Sequence, residues 1–163
     1  MLTILVCASI LRRGFPPLFG CTKTAPSDDE LIRCSRALKH SVVVRDPEET
    51  KGVREVLNFG HTLGHAIESL SRYRVRHGVA VGLGVLYALD VGVRAGMTPR
   101  EVAQTIERAL PLAKGARRQL ASWLVPSNHD ALRELIRADK KDGMILVSRP
   151  GHWVKRPRPA EWR

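Results

Sequence analysis

The sequence predicts a mainly helical domain. The apolar content is 44% while aromatics make up only 5%, so the core must be aliphatic and alanine-rich, which favours packed helices over a β-sandwich. Apolar and glycine positions recur at helical intervals across residues 53–67, and a second stretch, Val79 to Arg94, is almost wholly apolar. No proline falls inside either stretch, and neither shows a strand-like alternation.

Residues 1–26 show no clear period and contain Pro16-Pro17 and Pro26, so they read as poorly ordered. Ser27 is a candidate N-cap with Glu30 at the third helical position, opening a helix from Asp28 to Lys39. Ser41 to Val44 continues its apolar character, and Asp46-Pro47 marks a break. A helix from Glu48 to Ser71 follows. On it Val53, Leu57, Gly60, Gly64 and Ile67 form one stripe, and Arg54, Asn58, His61 and His65 recur at intervals of four, three and four on an adjacent face. Gly60 and Gly64 each cost ~1 kcal/mol of helix propensity, so close backbone packing or ligand approach should offset them. Arg72 to Arg76 is a short basic connection. His77-Gly78 opens the apolar helix ending near Gly96, read as a central core helix. Thr98-Pro99-Arg100-Glu101 is a capping box for a helix reaching Leu110. Another helix runs from near Ser127 to Lys141, stopped by Gly143; Met144 to Ser148 reads as a strand. The organisation is therefore a helical domain over 27–148 and a loose, basic tail over 149–163.

The net charge is +11, from 27 basic and 16 acidic residues, which suits anionic partners. No aromatic residues interleave with the lysines as a single-strand groove requires, so the charge reads as a basic solvated surface with some attraction for phosphate rather than a nucleic-acid groove. The three cysteines, Cys7, Cys21 and Cys34, form no CxxC pair, which points to a reducing, cytoplasmic compartment. The apolar run Leu2–Leu11 has its basic residues, Arg12-Arg13, on the wrong side for a secretory signal. No stretch approaches the ~20 apolar residues of a membrane span.

His61 and His65 lie one turn apart, with His77 just past the basic connection. Imidazoles at this spacing can converge on one ion, leaving a position for a substrate oxygen if a carboxylate joins them. The same spacing also fits hydrogen-bonded histidines in a packed helix pair. Arg54 and Asn58 on the same expected face favour a ligand, since buried polar groups without partners are costly. Glu68, almost one turn past His65, is the nearest in-chain carboxylate that could complete such a site, and it reads more readily as one that orients a histidine.

These residues carry a family resemblance. Arg54 with the run Leu57–Glu68 (LNFGHTLGHAIE), followed by Tyr73–Gly84 (YRVRHGVAVGLG), resembles the 3-dehydroquinate synthase family. Leu38-Lys39, Val42-Val43-Val44 and Asp46 resemble its lysine, valine pair and acidic turn, and Asp139-Lys140-Lys141 its late DKK element. The resemblance spans residues 28–148 and is strongest over 39–84. It implies that His61 and His77 bind a divalent metal, zinc or cobalt, and that His65 hydrogen-bonds in the substrate site. Arg54, Asn58 and Lys39 correspond to substrate-contacting positions, and Lys140 or Lys141 to a late active-site lysine. It implies an NAD-dependent cyclisation of a seven-carbon keto sugar-acid phosphate with loss of phosphate, and a homodimer at full length.

This chain departs from the pattern in several places. Residues 1–38 hold nothing like the family's N-terminal α/β NAD-binding domain, with no glycine-rich turn after a strand. The family's third metal ligand is a glutamate well upstream of the Lys39 position, and Glu30 lies too close to be it. A truncated chain, inactive by itself, is the expectation. A related cyclase making an aminocyclitol precursor and the iron-dependent alcohol dehydrogenase group are the rival classes.

Overall fold

Helix α1, Asp28–Arg45, opens the described part of the chain. In this computed structural model residues 28–110, 114–138, 144–149 and 152–156 are described. The expectations for residues 1–26, the Ser27 cap, Gly143 and Lys140-Lys141 lie outside them. α1 runs six residues past Lys39, through the valines, because Ser41 turns its hydroxyl back onto the Leu38 carbonyl (2.8 Å) rather than interrupting the helix. Ser35, Leu38 and Val42 form its buried face, and Asp46 just past its end is buried too. The break at Asp46-Pro47 falls where expected, since the residue before a proline avoids the helical region.

The helix expected over Glu48–Ser71 is two elements. A 3₁₀ helix covers Val53–Asn58, and α2 covers His61–Leu70. Gly60, at φ 78°, sits in the left-handed region between them. That conformation suits glycine, and the contacts at Gly60 exclude anything larger: a Cβ there would lie 2.5 Å from Val85 Cγ2 and 2.7 Å from the Val81 carbonyl oxygen. Close backbone packing, one of the two reasons expected for Gly60 and Gly64, is therefore what the structure contains. The physical reason for the break is the same contact, because a helical Gly60 could not deliver the chain onto the neighbouring helix.

That neighbour is α3, His77–Arg94, the central helix. A tight turn precedes it. In that turn Tyr73 N–H donates to the Glu68 carbonyl (2.7 Å), and Arg72 and Tyr73 take positive φ of 51° and 59°. α2 and α3 then run antiparallel, with Gly60 against Val85, Gly64 against Val81 and Glu68 against His77. Each contact steps four residues along both helices, so one residue per turn sits at the seam. By length and composition α3 could cross a membrane, but more than half of it is buried inside this domain.

α4, Arg100–Ala109, starts with Pro99 at the cap position, one residue later than the capping box places it, and no cap hydrogen bond forms from that side chain. α5, Ala116–Trp123, lies in a stretch to which the sequence reading assigns no element. Buried Leu120, with Ala116 and Trp123 against the core, supplies its apolar face. α6 covers Pro126–Ala138 and buries Leu132 and Ile136. The core gathers Phe59, Leu63, Ile67, Leu83, Leu86, Leu89, Ile106, Leu132 and Ile136 around α3.

The expected strand is present as β1, Met144–Arg149. The tail is not wholly loose: β2, His152–Arg156, pairs antiparallel with β1, with Met144 opposite Arg156 and Val147 opposite Trp153. Trp153 and Val154 suit a strand, and the intervening Pro150-Gly151 is a turn signal in the sequence. The architecture is thus mainly helical with one hairpin that contacts α3 and the 3₁₀ helix.

Candidate metal and substrate site

The antiparallel seam sets the site. His61 and His65 project from the first two turns of α2, and His77 is the first residue of α3. Their rings converge, with centroids 5.1 Å apart for His61 and His65, 5.4 Å for His61 and His77, and 6.1 Å for His65 and His77. The His61 Nδ1 lies 3.3 Å from the Phe59 carbonyl oxygen. A carbonyl oxygen only accepts, so in that bond the nitrogen donates. Nδ1 of His77 stands 3.1 Å from each oxygen of Glu68. The Glu68 side chain is 12% exposed and that of His77 56%, so the cluster is rooted in the domain and open on the His77 side.

The donor types and spacing fit a divalent ion. His65, Glu68 and His77 each offer a donor atom, and the three atoms lie within 4.8 Å of one another. The expected contact between Glu68 and a histidine is made, and its partner is His77.

The other expected residues lie elsewhere. Arg54 is not on a continuous face with His61, because the chain breaks at Gly60. Its Nη1 donates to the Pro47 carbonyl (2.9 Å), while its Nε is buried with no hydrogen-bond partner. An orphaned guanidinium donor costs free energy that an anion could offset. Asn58 is half-buried at the end of the 3₁₀ helix. Lys39 is exposed on α1, and no described contact joins it to the histidines. Lys140 and Lys141 fall outside the described residues.

Sequence reasoning placed Asp46 at a break and in the acidic turn but missed that it organises the Arg54 segment. Asp46 is fully buried and its carboxylate accepts backbone N–H groups from Lys51 (3.0 Å), Val53 (3.0 Å) and Arg54 (3.3 Å). Burial pushes its carboxyl up, but the N–H groups of Lys51, Arg54, Thr50 and Val53 outweigh this and hold it below the usual value of 3.8. An aspartate before a proline, followed within seven residues by a helix start, is the signal that could have found it.

The fold and cluster define a helical domain whose imidazole and carboxylate side chains converge at one helix seam. The chain belongs to the 3-dehydroquinate synthase family: residues 20–142 match the family described as 3-dehydroquinate synthase C-terminal. It is 36% identical over 133 residues to a 3-dehydroquinate synthase of Dehalococcoides mccartyi, covering 76% of this chain and 34% of that protein. It is 52% identical over 101 residues to the one of Nocardia farcinica, covering 55% and 27%. The chain thus spans about a third of the length of the curated relatives it matches. A solved 2-deoxy-scyllo-inosose synthase, complexed with carbaglucose-6-phosphate, NAD+ and Co2+, shares its fold with a TM-score of 0.60 at 24% identity, covering 94% of this chain and 46% of that one.

Proposed function

We propose that this chain supplies the metal- and substrate-binding part of a 3-dehydroquinate synthase, which closes a seven-carbon keto sugar-acid phosphate into a carbocycle with loss of phosphate. The observation that carries this reading is the convergence of three imidazoles and Glu68 at the seam of two helices, within residues that match the family's C-terminal part.

A bound divalent ion would polarise a substrate hydroxyl or ketone as a Lewis acid. His61 and His77 are the assigned holders. His65, at the same seam, would donate or accept a hydrogen bond at a substrate oxygen. Arg54, with Nε already desolvated, would pair with a carboxylate or phosphate oxygen, and Asn58 and Lys39 would add donors to the anion. Asp46 holds the Arg54 backbone in place for this task.

NAD is proposed for the whole family enzyme. The described residues contain one two-stranded antiparallel hairpin and no strand–glycine-rich turn–helix unit, so no dinucleotide cradle is assigned to them. A cytoplasmic setting and a homodimer at full length belong to the same proposal.

Two assays test the reading. The purified chain with zinc should bind a non-reactive phosphonate analogue of the seven-carbon substrate, and Arg54→Ala should weaken that binding. Binding unaffected by zinc removal and by Arg54→Ala would contradict it. A coupled phosphate-release assay with NAD and zinc should show no turnover by these 163 residues alone. An analogue of the aminocyclitol-forming cyclases' substrate that bound more tightly would move the assignment to that class.

A further inference from the structure

We infer that the cavity between the end of α2 and α5 binds a small anion carried on a flat apolar ring, an aromatic carboxylate or phosphate, at a site separate from the histidine cluster. The cavity has a volume of about 560 Å³ and, among the described residues, is lined by Leu70, Ser71, Arg72, Arg74, Val75 and Trp123. That volume falls within the range of small-molecule sites, about 300–1,000 Å³. None of His61, His65, Glu68 and His77 is among the lining residues.

The chemistry of the lining selects the ligand. Its two charged side chains are both arginines, and the described lining contains no carboxylate. Among the described residues neither guanidinium has a hydrogen bond or ion pair, whereas Arg117 is held by Asp90 and Glu107 and Arg133 by Asp130. Two such guanidinium groups in one concavity favour an oxyanion, which each can engage through paired N–H donors. The rest of the lining is mostly apolar. Leu70, Val75 and Trp123 are partly buried and packed against the core, so they border the cavity from fixed positions. An indole held in this way offers a flat face on which a ring can stack. A free phosphate would engage the arginines but leave the indole, Leu70 and Val75 against water, so a ring bearing the anion matches the whole lining better.

The backbone presents the two arginines in a conformation that L residues rarely adopt. Arg72 and Tyr73 take positive φ in succession, 51° and 59°. The turn is held by Tyr73 N–H donating to the Glu68 carbonyl (2.7 Å) and by Val75 N–H donating to Ser71 Oγ (3.3 Å). Strain of this kind persists where the surrounding structure fixes it, and it gathers at ligand sites.

The chain has three tryptophans, so its proton NMR spectrum carries an indole N–H resonance from each, and Trp123→Phe identifies the one at the cavity. Phenyl phosphate and benzoate are the probes, with inorganic phosphate and benzyl alcohol as the anion and the ring alone. At least one of the two probes should shift the Trp123 resonance saturably, with one site per chain. Arg72→Gln combined with Arg74→Gln should weaken that binding at least about ten-fold, and inorganic phosphate and benzyl alcohol should each bind at least about ten-fold more weakly than the better probe. Both arginines are exposed, so the double variant should fold as the wild type does, which circular dichroism checks. No saturable shift with either probe, equal affinity in the folded double variant, or inorganic phosphate binding as tightly as phenyl phosphate would each overturn the inference. The histidine cluster takes no part in these measurements, so their failure would leave the function proposed above untouched.

Discussion

Gly84 of α3 faces Gly60 so closely that a Cβ on Gly84 would overlap the Gly60 carbonyl oxygen and lie 3.0 Å from the backbone nitrogen of Gly64. Two helices that meet backbone to backbone cannot relieve such a clash by rotating a side chain. Gly84→Ala should therefore destabilise the domain by about 1–3 kcal/mol or more and spread the histidine rings. Gly78, also in α3, has nothing within 4 Å of a built Cβ. Gly78→Ala should be neutral or stabilising by up to ~1 kcal/mol from helix propensity. Urea denaturation of both variants checks the contrast. Equal effects would mean that the seam is not as close as described.

Asp46 makes acid stability a local question. Its folded-state carboxyl lies below 3.8, so the folded chain holds that proton less tightly than the unfolded one. A depressed carboxyl contributes stability above the unfolded value and loses it as pH falls through the folded value. Asp46→Asn should lower Tm at pH 7, because an amide cannot accept on both sides from Lys51 and from Val53 and Arg54. The gap to the wild type should narrow below pH 3.8. Thermal melts from pH 7 down to pH 3 measure it, and a gap independent of pH would count against the capping role.

Arg117 links three helices at the surface, donating to Asp90 of α3 (2.6 Å) and to both oxygens of Glu107 in α4 (2.7 and 2.6 Å). The hydrogen bond to Arg117 pulls the Glu107 carboxyl below its usual value. All three side chains are more than a third exposed, so solvent screens them. Arg117→Ala should cost only about 0.5 kcal/mol, and less in high salt. Denaturation at low and high ionic strength tests this; a salt-independent loss above ~2 kcal/mol would show that the arginine stem, not its charge, is what matters.

The sequence makes the donors legible but not their arrangement. His61, His65 and His77 were found because imidazoles are rare and their spacing is informative, and the structure brings their rings together. Glu68 was read as orienting a histidine, and the structure names His77, a pairing that depends on the antiparallel return and is invisible to periodicity. Arg54 and Asn58 were placed on the His61 face by counting along one helix. The count failed at Gly60, where a tertiary contact with Val81 and Val85 overrides helical continuation. α5 was missed because it is only eight residues long and its apolar face carries just Ala116, Leu120 and Trp123. β2 was missed because strand pairing is non-local, and a five-residue segment has little pattern of its own.

The central claim is that the α2–α3 seam binds a divalent ion through His77 and its neighbours. Calorimetric zinc titration of the wild-type chain and of His77→Ala, at pH 7.5 where imidazole is neutral, tests it most directly. The account predicts one zinc per wild-type chain and a loss of at least about a hundred-fold in affinity in His77→Ala, both proteins remaining folded by circular dichroism. Zinc bound by His77→Ala as tightly as by the wild type would contradict it.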